Sequence, residues 1–441
     1  MPRGDEGRRP PGPRGHWLMG NTPEYDADRI GFLRRCHREY GDVFSYDERT
    51  VFVIDPKLAH DVLADPSRSF VTELAPFDTG RNLGRAVSQG NSWMSARRSV
   101  WPGLNHTAAA LADGRTVEIL DTVIDAAAGR EVDVLTTMRT FTATAIADYC
   151  FGPDATGIPG LLADNIEATR PFAGTSYQFP AWLPLRRHRR LFRVHRQTVE
   201  TLTGIVRCRR ASGTRASPGD LLDFLLAADP EMPDPAVMAT LRGILMGGHG
   251  VPAAALASIV RELAARPRLA AELAAEADGS TNGTAPPAAR LPLAEAVVKE
   301  VLRLHPPVWL MTRTAHKAVD LGGWPLRAGD DVLLNPYLIH RDPRWWPRPD
   351  EFEPGRWAAG QPAPGAAYLP FGAGPRVCLG SALTMRQLTL ATSRLAQRHT
   401  IDSPNVATAV PEFLGRLAPV GLRARFRPSS GRSAAAAPPS A

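Results

Sequence analysis

Phe371-Gly372-Ala373-Gly374-Pro375-Arg376-Val377-Cys378-Leu379-Gly380 reads as a tight loop that presents a single cysteine. Gly372, Gly374 and Pro375 let a chain turn sharply around a sulfur and aim backbone N–H groups at it, because glycine tolerates positive φ and proline fixes its own. From Leu379 onward, Ala382, Leu383, Leu388, Ala391 and Leu395 recur at helical spacing, which places Cys378 at or just before a helix N-terminus. There the helix dipole is expected to lower the thiol pKa. Taken as a lone cysteine, Cys378 also fits a buried structural role.

A thiolate held by N–H donors in a dry loop suits a haem iron, to which it gives electron density. Arg376, two residues earlier, is placed to pair with a haem propionate. Phe371, Gly374, Arg376, Cys378 and Gly380 are five fixed positions in ten, and they resemble the haem-binding loop of the cytochrome P-450 superfamily, the haem-thiolate monooxygenases. The resemblance runs from about residue 10 to 427. It implies a mainly α fold with a small β portion, and haem b between a long central helix and the cysteine-loop helix. Cys378 is then the axial ligand of the iron.

Upstream of the loop, residues 291–304 read as a helix stopped by Pro306-Pro307, with Glu300 and Arg303 three apart on one face. Such pairs are common on helix surfaces. By the resemblance this one is a buried ion pair, completed by Arg356 within Phe352-Glu353-Pro354-Gly355-Arg356-Trp357, that locks the haem-side core. The resemblance also puts Trp93 and Arg97, four apart on a helix face, together with Arg313 and Arg376 on the haem propionates. Phe371 and Gly248 join the haem contacts. Residues 308–312 become a strand along the pocket edge, with Val308, Leu310 and Met311 as apolar walls that suit a small lipophilic substrate.

Asp234-Pro235 reads as an N-cap with proline at the first helical position, and an apolar helix of about thirty residues runs from there to Arg266. Its middle is Met246-Gly247-Gly248-His249-Gly250-Val251-Pro252. Glycine costs about 1 kcal/mol and proline about 3 kcal/mol against alanine in a helix, so a widened or kinked stretch beside a ligand is expected. Relatives carry an acid and then an alcohol here, which pass protons to dioxygen through ordered water. This chain has Gly250 and Val251, and neither side chain relays a proton.

Four readings stay open. A polar group on the substrate holds the water; or His249 stands in, as an imidazole titrating near neutrality, although it is one position off. Alternatively, hydrogen peroxide replaces dioxygen and electrons, as in the peroxygenase branch, which holds a carboxylate with an arginine that this helix lacks. Lastly, the protein performs haem-thiolate chemistry that needs no relay, or only binds ligands. No catalytic residue is assigned beyond His249, Gly250 and Val251 lining this site with Gly247 and Gly248.

At 441 residues and a formal charge of +7 the chain can bury a sizeable core but is too short for a fused reductase. Cys36, Cys150, Cys208 and Cys378 show no CxxC or CxxCH spacing, which argues against zinc, a disulfide scaffold and covalent haem attachment. No apolar run reaches the roughly 18 residues that cross a bilayer, and residues 1–15 lack a signal-peptide pattern. The reading is a cytoplasmic protein with no stable membrane anchor.

Basic residues form no stripe interleaved with aromatics, and Arg186-Arg187-His188-Arg189-Arg190 reads as a solvated helix start, so nucleic acid is not expected. A basic surface attracts an acidic electron carrier. The resemblance names a ferredoxin or flavodoxin with an NAD(P)H-dependent reductase, dioxygen as co-substrate and a monomer, in a group whose bacterial members often tailor specialised metabolites. Residues 1–20 read as a Pro/Gly-rich lead, 21–427 as one domain and 428–441 as a disordered Ser/Ala/Pro tail. Within the domain the sequence predicts a helix over 28–40, a hairpin over 43–54, a helix from Pro56 through Leu63, an irregular loop over 70–91, and helices through 107–227, with an aromatic, proline-rich segment at 172–185 that the resemblance puts in the roof over the pocket.

Overall fold

The long apolar stretch in the middle of the chain forms one helix, Asp234–Ala265, of 32 residues. From Pro252 to Val260 every residue is buried, so this helix is hydrophobic on all sides because it has neighbours on all sides. Its core cluster joins residues of the helices Asp113–Ala127, Val134–Phe151, Pro267–Gly279, Pro292–Leu304 and Ser381–Arg398. That burial explains why it is long and apolar enough to cross a membrane while 67% of its apolar window is covered by the protein itself. The computed structural model describes residues 9–65, 67–72, 94, 96–173, 183–213, 219–279, 288–358, 365–413 and 415–429. Trp93, Tyr177, Phe179, Trp182 and most of the 70–91 loop lie outside the described residues.

Two details of the central helix differ from expectation. Asp234 is its first helical residue and makes no capping bond, while Pro233, in the extended region, occupies the N-cap position. The run Gly247–Pro252 remains helical without a break. Two of its glycines, Gly248 and Gly250, serve close packing, as the site below shows.

A five-stranded sheet forms the β portion, in the order Val43–Ser45, Thr50–Val53, Asp331–Leu334, Met311–Ala315, Phe70–Val71. Only the Thr50–Val53 and Asp331–Leu334 pair is parallel. A second cluster, with Phe32, Phe44, Phe52 and Ile54 among its fully buried members, packs against it. The hairpin and the helices Arg29–Tyr40 and Pro56–Ala64 stand where the sequence puts them, each with a capping aspartate, Asp28 and Asp55, accepting a backbone N–H.

The predicted strand 308–312 is displaced. It begins at Met311 and runs to Ala315, with Met311 opposite Leu334. Residues 308–310 are held by a different neighbour, a hairpin of Glu412–Phe413 and Leu417–Ala418, whose Leu417 N–H donates to Pro307 O at 3.0 Å. Trp309 packs edge-on against Phe413 at 5.4 Å. Pro306 and Pro307 offer the sheet no N–H, so the chain joins it only after them.

The basic run 186–190 does start a helix, Arg186–Ala211, but it is not all solvated. His188 is 1% exposed and stacks on Phe172 at 5.6 Å. Near the other end Arg209 is buried against Asp220 at 2.8 Å, Asp223 and Asp154, an ion cluster that no local sequence pattern announces.

Candidate functional site

The cysteine loop owes its shape to its glycines. Gly372 and Gly374 have φ of 71° and 68°, the left-handed region that side chains avoid. A Cβ on Gly374 would also stand 2.4 Å from Ala64 Cα and 2.6 Å from Leu63 O, so the loop is clamped onto the end of helix Pro56–Ala64. Gly374→Ala is therefore expected to cost about 2 kcal/mol or more through backbone strain, read as a lower denaturation midpoint. Gly380→Ala is the control, since its φ is −90° and a Cβ there would meet only Thr384 Oγ1 at 4.0 Å. Equal midpoints for the two variants would rule out the clamp.

Cys378 N–H donates to Phe371 O at 2.9 Å, which closes the loop, and the helix Ser381–Arg398 begins just beyond, with Gly380 at its N-cap position. The thiol is exposed at the wall of the loop, yet enough atoms crowd it that burial pushes its pKa up. The N–H of Gly380 and the Arg97 guanidinium pull the other way without winning. The expected lowering of the thiol pKa is thus reversed: desolvation outweighs the helix start. The fully buried thiols Cys36 and Cys150 are structural, and Cys208 lies exposed on the helix Arg186–Ala211.

Three arginines expected on the propionates gather here. Arg376 Nη1 donates to Thr72 Oγ1 at 2.6 Å and Arg313 Nη1 to Thr312 O at 2.9 Å. Among the described residues none of Arg97, Arg313 and Arg376 has a carboxylate partner. Burial lowers the pKa of all three, Arg313 to about 10 with the Arg376 charge adding to it. Arg313 and Arg376 share a cleft of 280 Å³ with Val62, Phe70, Met94 and Pro375. Guanidiniums set in a protein interior without counter-ions fit a ligand that brings its own carboxylates. With a loop-held thiol beside Arg97, the donor set matches haem. A larger cleft of 590 Å³, lined by Arg34, Arg38, Leu338 and Arg341 among others, shares no residue with the loop.

Behind the loop, Glu300 and Arg303 are fully buried and paired in parallel, with Nε to Oε2 at 2.9 Å and Nη2 to Oε1 at 2.8 Å. Arg356 Nε, Trp357 Nε1 and Glu353 N–H also donate to the Glu300 carboxylate, each at 2.9–3.0 Å. Burial alone would raise the Glu300 carboxyl, but these donors outweigh it and hold its pKa below the usual range. Arg303 spends its remaining N–H groups on the carbonyls of His340, Pro349 and Glu351. His340 carries the network onward. Its Nδ1 meets Arg303 O at 3.1 Å and its Nε2 accepts the N–H of Leu369, two residues before Phe371.

On the central helix four of the five predicted positions, Gly247 to Gly250, part company. Gly247 faces open space, whereas a Cβ on Gly248 would strike Ile146 Cγ1 at 2.7 Å. Gly248, expected against the cofactor, is glycine so that the helix Val134–Phe151 can approach. His249 is 2% exposed, and its Nδ1 is bonded to Leu245 O at 3.0 Å in its own helix. Burial drives its pKa down to about 4, so it is neutral at pH 7. Gly250 meets a residue that the sequence did not nominate: a Cβ there would lie 2.9 Å from Arg416 Cζ. Arg416 sits in the hairpin beside residues 307–309, about 165 positions from Gly250 in the chain, a separation that hides the contact from pattern reading. Val308, Leu310 and Met311 are half-buried, and Met311 Sδ reaches to 4.0 Å from the Cβ direction of Gly372.

Comparison with known proteins gives the same answer along the length of the chain. The sequence pattern of the family described as Cytochrome P-450 matches residues 10–415. Cyclooctat-9-en-7-ol 5-monooxygenase of Streptomyces melanosporofaciens is 29% identical over 413 residues, covering 86% of this chain and 87% of that one. Cyclooctatin synthase of the same organism is 39% identical over 190 residues, 41% of each chain. In three dimensions the crystal structure of the cytochrome P-450DA heme domain superposes with a TM-score of 0.80 at 23% identity, over 95% of this chain and 97% of that one. A thiol loop, cations that have no counter-ion among the described residues and a buried Glu–Arg lock therefore belong to a haem-dependent monooxygenase, and the chain is a member of the cytochrome P-450 family.

Proposed function

We propose that this chain inserts an oxygen atom into a lipophilic small molecule, or couples it oxidatively, in the making of a specialised metabolite. The observation that carries the site assignment is the set of three guanidiniums around a loop-held cysteine that have no carboxylate partner among the described residues. Cys378 would hold the iron, Arg97, Arg313 and Arg376 the propionates together with Trp93, and Glu300, Arg303 and Arg356 would keep the loop in place. Bound haem supplies the oxygen-transfer chemistry. The metabolite class rests on the printed activities of the two Streptomyces relatives, and electrons would arrive singly from a ferredoxin or flavodoxin.

In this reading the substrate replaces the missing acid and alcohol, contributing a polar group that orders water beside Gly250 and Val251. His249 is a poor substitute, because burial keeps it neutral and its Nδ1 is bonded within its own helix. Val251→Thr is accordingly expected to leave product yield similar or lower, and a large gain would sink substrate assistance.

The test is mass spectrometry of extract from a strain lacking this gene, incubated with haem-loaded protein. One tube contains reductase, ferredoxin and NADPH, the other hydrogen peroxide. An ion heavier by one oxygen or lighter by two hydrogens in the first tube supports the proposal. The same ion with peroxide alone replaces it with a peroxygenase, and neither ion in either tube replaces it with a ligand-binding protein.

A further inference from the structure

We propose that Arg416 is a carboxylate-binding subsite facing Gly250, and that the substrate is a lipophilic acid whose carboxylate docks there. The inference rests on the monooxygenase reading above and specifies the polar group which that reading requires.

Arg416 occupies the space a side chain at position 250 would fill: the Cβ direction of Gly250 ends 2.9 Å from its Cζ and Nη1 and 3.2 Å from its Nη2. The hairpin that carries it is held by Leu417 N–H to Pro307 O at 3.0 Å and by Arg29 Nη1 to Phe413 O at 2.9 Å. These bonds hold the hairpin backbone on either side of Arg416, next to the segment that supplies Val308 and Leu310, while its guanidinium lies against the central helix at Gly250. Among the described residues Arg416 has no ion-pair or hydrogen-bond partner. Burial lowers its pKa, and the Arg139 charge adds to that. Two further polar atoms in the neighbourhood, His249 Nε2 and Arg139 Nε, are buried without a partner.

A desolvated cation in a fixed place is costly unless something anionic completes it. Among the described residues none offers Arg416 a carboxylate, and the residue facing it is glycine. A planar carboxylate matches the two-pronged guanidinium, and the neighbouring Val308, Leu310 and Met311 fit an apolar body rather than a second charge. Glycine at 250 then has a positive reason: any side chain would displace either the arginine or its ligand.

The experiment uses haem-loaded protein, with haem content confirmed by absorbance, and calorimetric titration with dodecanoate and abietate, each against its methyl ester. At least one acid is expected to bind about ten- to a hundred-fold tighter than its ester, as a hydrogen bond to a charged group implies. In Arg416→Gln that preference falls to about unity, and in Gly250→Asp as well, because the new carboxylate pairs with Arg416 internally. Acids that bind no better than their esters in the unaltered protein, or a preference that survives Arg416→Gln, overturn the subsite. Product assays separate the two levels: acid preference without product under either oxidant defeats the monooxygenase reading alone, and product without acid preference defeats the subsite alone.

Discussion

Between pH 7 and pH 4 the protein is expected to lose about 6 kcal/mol of stability through two buried histidines. Burial drives His249 to about 4 and His340 to about 3, from an ordinary value of 6.5. The unfolded chain therefore takes up a proton at each as pH falls below about 6.5, while the folded protein does not. More protons on the unfolded state means that stability present above pH 6.5 is lost on acidification. At about 1.4 kcal/mol per pKa unit, each histidine accounts for about 3 kcal/mol by pH 4. His305 and His399 are shifted in the same direction, also first by burial. Urea midpoints at pH 7, 6, 5 and 4 measure the loss, and His249→Phe should flatten the slope by up to one proton. A midpoint constant from pH 7 to 5 in the unaltered protein would mean that these rings are wetter than the structure shows.

How much of this was legible in the sequence depends on the range over which each feature is built. The cysteine loop is local: its glycines are demanded by φ values within ten residues, and the motif spells them out. The hairpin at 43–54 and the capped helices beside it are local too. The Glu300–Arg303–Arg356 network was reachable only through family resemblance, because three-apart charged pairs carry no message by themselves. Gly248 presents the opposite difficulty. A glycine on a helix signals close approach but not by what, and here the visitor is Ile146. Arg416 and the Arg209 cluster were invisible, since each exists only where distant elements cross. The thiol pKa was predicted with the wrong sign because a sequence shows the helix start but not the desolvation that opposes it.

Glu300→Ala is expected to destabilise the protein by about 3–5 kcal/mol, the cost of stripping the partner from a buried charge. Arg303 is 0% exposed and would keep its bonds to the carbonyls of His340, Pro349 and Glu351, but no carboxylate would balance it. Arg356 and Trp357 lose their acceptor in the same stroke. Replacing both members of the pair separates charge burial from packing. Glu300→Ala combined with Arg303→Met should recover part of the loss, because it removes the charge that Glu300→Ala leaves buried and unpaired. A double variant no more stable than Glu300→Ala alone would instead place the loss in packing rather than in the uncompensated charge. Haem uptake provides a second and independent reading. One hydrogen-bonded path among the described residues runs from Glu300 toward the cysteine loop, through Arg303 and His340 to Leu369. If that path positions the loop, then at a temperature where both proteins are folded Glu300→Ala should bind haem more weakly than the unaltered chain. Equal uptake with lowered stability would confine the network to holding the core together, and would leave the shape of the loop to Gly372, Gly374 and the end of the helix they are clamped against.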